Sequence, residues 1–252
     1  MSKATMYEPR QDQIVVAAAP ELHVDPRFTQ HMLGWFRRLE PMPLSEVVRD
    51  PARTAILSTD LIVGFAYEGR LASPRVAALL PGAATLFRRA YDAGVRNFLL
   101  AQDTHSPNAP EFAAWGEHAV RGTIEAETCP ELAALPFSGE FVVIEKNSLS
   151  SAHGTRLGAW QDSHREVNTY VVIGDCTDLC VYTAAMHLRL QANALDIADR
   201  RVIAPANLVD TYDMPLDTAM KLGVMPHPGD FFHLVFLYHM ALNGIEVVRG
   251  IA

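Results

Sequence analysis

The stretch Val171-Val172-Ile173-Gly174-Asp175-Cys176-Thr177-Asp178-Leu179-Cys180-Val181-Tyr182-Thr183-Ala184-Ala185 decides how this chain is read. Its β-branched apolar opening predicts a buried strand. Gly-Asp-Cys-Thr-Asp predicts a tight turn, and the residues from Cys180 through Leu190 predict a helix. A cysteine in the first turn of a helix stands at the positive end of the macrodipole, which predicts a lowered pKa and more thiolate. Strand, turn and helix are also the geometry that lifts a nucleophile to the carboxyl edge of a sheet. Against this, a free cysteine is most often a small buried apolar residue. The rest of the chain has to decide what Cys180 is.

Working outward, four more apolar runs read as strands: Thr54–Asp60, Asn97–Asp103, Glu140–Lys146 and Arg201–Ala206, with a last short one at Gly244–Val248. Helices are predicted at Thr29–Leu39, Arg75–Ala93 (closed by Gly94 as C′), Arg156–Ser163, Leu216–Leu222 and the strongly apolar Phe231–Leu242. Strands alternating with helices predict an α/β three-layer sandwich with a mostly parallel, doubly wound sheet. Residues 1–50 read as an N-terminal arm on the outside of the domain, on this chain or on a partner subunit, and residues 51–252 as one domain without a linker. Residues 104–139 read as a long polar loop, and a loop of that length is usually functional.

Composition narrows the function. A formal charge of −8 with mixed signs argues against a nucleic-acid groove. Three cysteines without regular spacing offer no disulfide framework. No apolar run reaches the roughly 20 residues of a membrane span, and Met1–Arg10 holds no signal-peptide core. A cytoplasmic protein without membrane or nucleic-acid partners is expected.

Strand after strand ends in an ionisable residue, and in open parallel sheets that edge is where ligands bind. Asp60, Lys146 and Cys180 are therefore predicted to converge. An ammonium at Lys146 favours a thiolate, and Asp60 can accept the thiol proton and return it to a leaving amine. Each alone is an ordinary polar strand end. A second set is Asp103-Thr-His105 with His118. Residues i and i+2 of an extended segment face the same way, so Asp103 and His105 can share an ion that His118 closes from the loop. Two imidazoles and a carboxylate suit Zn²⁺, or Fe²⁺ or Mn²⁺. Glu111 is a candidate fourth ligand. Cys176 is a rival nucleophile within the turn, and Cys129, beside Pro130, reads as a bystander.

Asp60-Leu-Ile-Val-Gly-Phe65, Gln102-Asp-Thr-His-Ser-Pro107, Trp115-Gly-Glu-His118-Ala-Val-Arg-Gly122-Thr123, Glu145-Lys146 with Ser151-Ala152, and Gly174-Asp-Cys-Thr-Asp-Leu-Cys180-Val, in this order, resemble the isochorismatase-like cysteine hydrolases, and within them the nicotinamidases. The resemblance runs from about Ala55 to Asp213. It implies a catalytic triad at Asp60, Lys146 and Cys180, metal ligands at Asp103, His105 and His118, and pocket aromatics at Phe65 and Trp115. It implies hydrolysis of a small amide, nicotinamide first, through a thioester. An oxyanion hole is implied at the backbone N–H groups of Thr177 through Cys180, and a cis peptide at Cys176–Thr177.

Two positions depart from the pattern. Leu179 replaces the usual His or Tyr, and His153 takes an often aromatic position; both are candidate substrate contacts. They leave the amide chemistry intact and the amide open: N-carbamoyl or ureidoacrylate-type substrates stand as alternatives. The metal-free relatives that act on those lack the Trp-x-x-His element kept here. Cys180 argues against isochorismate cleavage, whose enzymes lack the cysteine. A non-catalytic binding protein is the other class of reading, opposed by an intact triad and an intact ligand set. The arm and the apolar Phe231–Leu242 segment suggest a homo-oligomer.

Overall fold

The computed structural model describes residues 21–252, so the first twenty residues of the arm, with the Met1–Arg10 reading, lie outside the described residues. The chain runs through α1 (Arg27–Arg37), β1 (Thr54–Thr59), α2 (Pro74–Asp92), β2 (Asn97–Asp103), β3 (Val142–Lys146), α3 (Leu157–Ser163), β4 (Thr169–Asp175), α4 (Cys180–Ala194), β5 (Arg201–Pro205), β6 (Val209–Asp210), α5 (Leu216–Leu222), α6 (Gly229–Leu242) and β7 (Glu246–Val248). The sheet order is β3-β2-β1-β4-β5-β7, with β6 beside β4, and every strand pair is parallel.

The apolar runs are continuous because both faces of the sheet are covered. Ile56, Phe98, Leu100, Val171 and Ile173 pack with Leu80, Ala83 and Phe87 of α2 on one face. Leu57, Leu99, Tyr170 and Val172 pack with Trp160 of α3, Val181 and Leu188 of α4 and Leu237 of α6 on the other. Three layers result. Local signals set the ends of α2: the Ser73 hydroxyl accepts from the Arg75 N–H at 3.2 Å, Pro74 opens the first turn, and Gly94 leaves the helix at φ +98°.

One expectation changes. The 104–139 segment is polar only in its first half. Leu132, Leu135 and Phe137 enter the core, Phe137 stacked on Tyr91 with centroids 3.9 Å apart, because a long connection over a sheet face still has to cover it. The described part of the arm packs on its own chain: Trp35 of α1 meets Tyr238 of α6 edge-on at 5.2 Å, and Arg249 holds the Arg37 and Leu39 carbonyls. These contacts set the described part of the arm against α6, while Phe28, Phe231 and Leu242 stay exposed.

Among the described residues no helix is long and apolar enough to cross a membrane.

Candidate active site

The order of strands turns back at β1 and β4. From β1 the chain builds outward to β2 and β3, and from β4 outward to β5 and β7. Such a switch point opens a crevice beyond the carboxyl ends. Gly174 lets the two strands close there: at φ +113°, a Cβ on it would stand 2.1 Å from the Thr59 carbonyl oxygen.

The residues expected at the edge meet. Lys146 Nζ lies 2.6 Å from Asp103 Oδ1, 2.8 Å from Asp60 Oδ2 and 3.5 Å from Cys180 Sγ. Asp60, at φ +54°, is held by its N–H on the Ala101 carbonyl and by its Oδ1 on the Asp103 N–H at 2.7 Å. All four side chains are buried. Burial and the charge of Asp103 push the Asp60 carboxyl up to about 6, against the pull of Lys146. For Lys146 burial acts downward, but Asp103 and Asp60 outweigh it and hold the ammonium charged well above its usual range.

Cys180 corrects the helix-terminus argument. Burial raises its thiol, Lys146 opposes the rise, and Asp60 and Asp103 add to it, so the net direction is upward. The resting group is a thiol beside a carboxylate, not a free thiolate. Cys176 is raised by burial and by Asp175, and Cys129 by burial to about 12, in the core where its N–H bonds Leu61. Of the three, Cys180 is the one that reaches Lys146.

Beside the triad, Asp103, His105 and His118 converge, with one ligand atom from each within 4.8 Å of the others. His118 Nδ1 donates to the Gly116 carbonyl at 2.8 Å, which leaves Nε2 as the lone pair. His105 Nδ1 faces Asn147 Oδ1 at 3.3 Å, an oxygen already accepting the Ser106 N–H, which turns its Nε2 toward Asp103 and His118. The two Nε2 atoms face each other at 3.1 Å. Two imidazole nitrogens at that distance beside a carboxylate fit a divalent cation. Glu111 keeps a buried Oε1 without a partner among the described residues, near enough for its charge to act on His105.

Around these groups Phe65 lies 5.7 Å from His118, and Trp115 meets Tyr212 edge-on at 6.0 Å. Phe112 packs on both imidazoles at 5.3 and 5.6 Å; it lies one helical turn before Trp115, a spacing that could have found it. Leu179 is half-buried at the start of α4. His153 is exposed, bonded to Ser150 at 2.8 Å, and no contact among the described residues ties it to the triad.

The turn itself brings two corrections. The cis peptide is Asp175–Cys176, one bond earlier than expected; pairing with β6 continues to Asp175 and the chain reverses there. The Thr177 N–H donates to the Asp210 carbonyl at 2.9 Å, which removes it from an oxyanion hole. The Cys180 N–H has no acceptor among the described residues. Sequence reasoning missed Asn147, Tyr212 and the Asp178–His227 contact.

Known proteins resemble this chain in sequence and in fold. Nicotinamidase 1 of Arabidopsis thaliana is 27% identical over 164 residues, 60% of this chain; the chain spans 64% of the length of that relative. Among solved structures, the pyrazinamidase/nicotinamidase of Streptococcus mutans UA159 is similar in fold with a TM-score of 0.61 at 22% identity, over 77% of this chain and 99% of that one. N-carbamoylsarcosine amidase of Thermoplasma acidophilum superposes with a TM-score of 0.58 at 23% identity, over 78% and 96%. The Isochorismatase domain matches residues 54–193, more than half of the sequence and the span that includes Asp60, Lys146 and Cys180, and the chain belongs to that family.

Proposed function

We propose that this chain is a cysteine amidohydrolase that releases ammonia from a small aromatic carboxamide, with nicotinamide as the first candidate. The observation that carries the reading is Lys146 placed between two buried carboxylates and the Cys180 sulfur. In the reaction, Cys180 Sγ attacks the amide carbonyl carbon while its proton passes to Asp60, whose raised pKa suits it to hold a proton part-time. Lys146 keeps a positive charge beside the developing thiolate. The Cys180 N–H is the donor available to the tetrahedral oxyanion. The C–N bond breaks, the amine leaves as ammonia with the proton held by Asp60, and a thioester remains. Asp60 then takes a proton from water, the hydroxyl adds to the thioester, and Cys180 departs and is reprotonated as the carboxylic acid is freed.

Asp103, His105 and His118, with Glu111, would hold a divalent ion, Zn²⁺ first. Such an ion supplies a centre that binds the lone pair of a ring nitrogen. Phe65 and Trp115 would flank the ring. Leu179, apolar where nicotinamidases commonly present His or Tyr, favours a second reading in which another small amide or an N-carbamoyl compound is the substrate.

The test is ammonia release from nicotinamide beside a panel of N-carbamoyl compounds and small amides, for native protein, Cys180→Ala and chelator-treated protein. Release from nicotinamide that falls by roughly 10³-fold or more in Cys180→Ala is expected. Release only from another panel member moves the substrate. Activity that survives the substitution removes Cys180 from its role.

A further inference from the structure

The matched family domain ends at residue 193, yet the turn that carries Cys180 is gripped from beyond it. His227 Nε2 lies 2.8 Å from Asp178 Oδ2, with side chains only 9% and 6% exposed. The other ring nitrogen lies 2.9 Å from the Tyr212 carbonyl oxygen. Burial alone would raise the Asp178 carboxyl, but the hydrogen bond from His227 leaves it lowered and ionised. Both partners are acceptors, so the ring is held between the Asp178 carboxylate and a backbone carbonyl.

His227 is itself fixed. It stacks on Tyr212 with centroids 3.8 Å apart. Its backbone exchanges hydrogen bonds with Met214 at 2.8 and 2.9 Å, closing the 214–227 loop on itself. The Gly229 N–H bonds Asp213 Oδ1 at 2.8 Å, and a Cβ on Gly229 would stand 2.7 Å from the Tyr212 carbonyl oxygen. The nucleophile turn is otherwise tied at Thr177, whose N–H bonds the Asp210 carbonyl and whose hydroxyl lies 2.9 Å from His233 Nδ1; His227 is the residue that reaches Asp178, two positions before Cys180. Leu179, the cap of α4, provides no side-chain cap and sits at φ −117° and ψ −99°.

We infer that His227 is a positioning residue: its bond to Asp178 holds the Cys176–Cys180 turn and so aims Cys180 Sγ at Lys146. Tyr212, stacked on His227 and edge-on to Trp115, joins the same clasp to the pocket wall. The inference rests on the cysteine hydrolase reading, and its test separates the two.

Native protein, His227→Ala, His227→Gln and the loop control Met225→Ala, whose side chain points to solvent at 87% exposure, are compared. The measurements are kcat and KM for the amide turned over, thermal melting, and iodoacetamide modification of Cys180 followed by peptide mass. In His227→Ala, kcat falls roughly tenfold to a hundredfold, as expected for a misplaced nucleophile. KM stays within about twofold. Cys180 reacts with iodoacetamide roughly threefold faster or more as the turn loosens, and Cys129 does not. His227→Gln, which can still donate to Asp178, recovers part of the kcat, and Met225→Ala matches native protein. Native kcat in His227→Ala, or modification of Cys180 no faster than in native protein, overturns the inference. If His227→Ala does not melt cooperatively, His227→Gln decides by the same two readings. If native protein turns over no amide, the hydrolase reading fails, and the modification rate alone decides the clasp.

Discussion

Lys146 and Asp178 each anchor a buried polar contact at the carboxyl edge of the sheet, but their partners arrive by different routes. Asp103 comes to Lys146 on the neighbouring strand, directly opposite it in the β2–β3 ladder, and Asp60 from the end of β1 one strand further on, where parallel register leaves little freedom. The partner of Asp178 comes on a loop, 49 positions along the chain, and its place depends on a stack, a two-residue bridge and a glycine. The strand-built cluster is therefore part of the core. The loop-built contact is an attachment, which can be lost without losing the sheet.

The widest break in the comparison comes from Lys146→Met. Removing the one cation leaves Asp60 and Asp103 buried and facing each other, a change worth roughly 3–5 kcal/mol, and urea unfolding should show a midpoint shift of that size. Cys180→Ala deletes no charge and should move Tm by only about 2–4 °C. Equal losses in the two variants would mean that the cluster does not depend on its cation.

Metal binding is expected to reinforce the strand-built side only. Zn²⁺ at a hundredfold excess over its Kd should add about 2.7 kcal/mol, which is roughly 5–10 °C in Tm for a domain of this size. His118→Ala should abolish most of that shift, and Met225→Ala should leave it intact. The same shift in native protein and in His118→Ala would assign the ion elsewhere.

The difference between the two regions also explains what the sequence could reveal. β1 to β4 were legible because their apolar runs end in Asp60, Asp103, Lys146 and the Gly174–Cys180 turn, and a parallel sheet brings strand ends together whatever the loops do. His105 followed from Asp103 by the two-residue period. His227 and Tyr212 carry no such signal; their neighbours in space are set by where a 214–227 loop closes. The Thr177 N–H was lost to the same kind of contact, since β6 is two residues long and pairs across the sheet with β4. The Cys180 pKa went the other way because the helix terminus is a partial charge, whereas burial and two carboxylates act on the thiol directly. The arm was legible as an element, with α1 within two residues of its expected limits.

The smallest effect belongs to the loop-built contact and has a sign that can be checked. The Asp178 carboxyl is raised by burial but lowered further by His227, so its folded pKa lies below the unfolded value near 3.8. Over that window the folded chain binds fewer protons than the unfolded chain, and stability rises with pH. The contribution is fully present above the unfolded pKa and is lost as pH falls through the folded one. Asp178→Asn should cost about 1–3 kcal/mol at pH 7, the range for a hydrogen bond to a charged group. Urea midpoints of the two proteins should converge as pH is lowered below about 4. A gap that stays constant from pH 7 to pH 3 would mean that Asp178 matters by its shape and not by its charge, and the hold of His227 on the nucleophile turn would then have to be a neutral one.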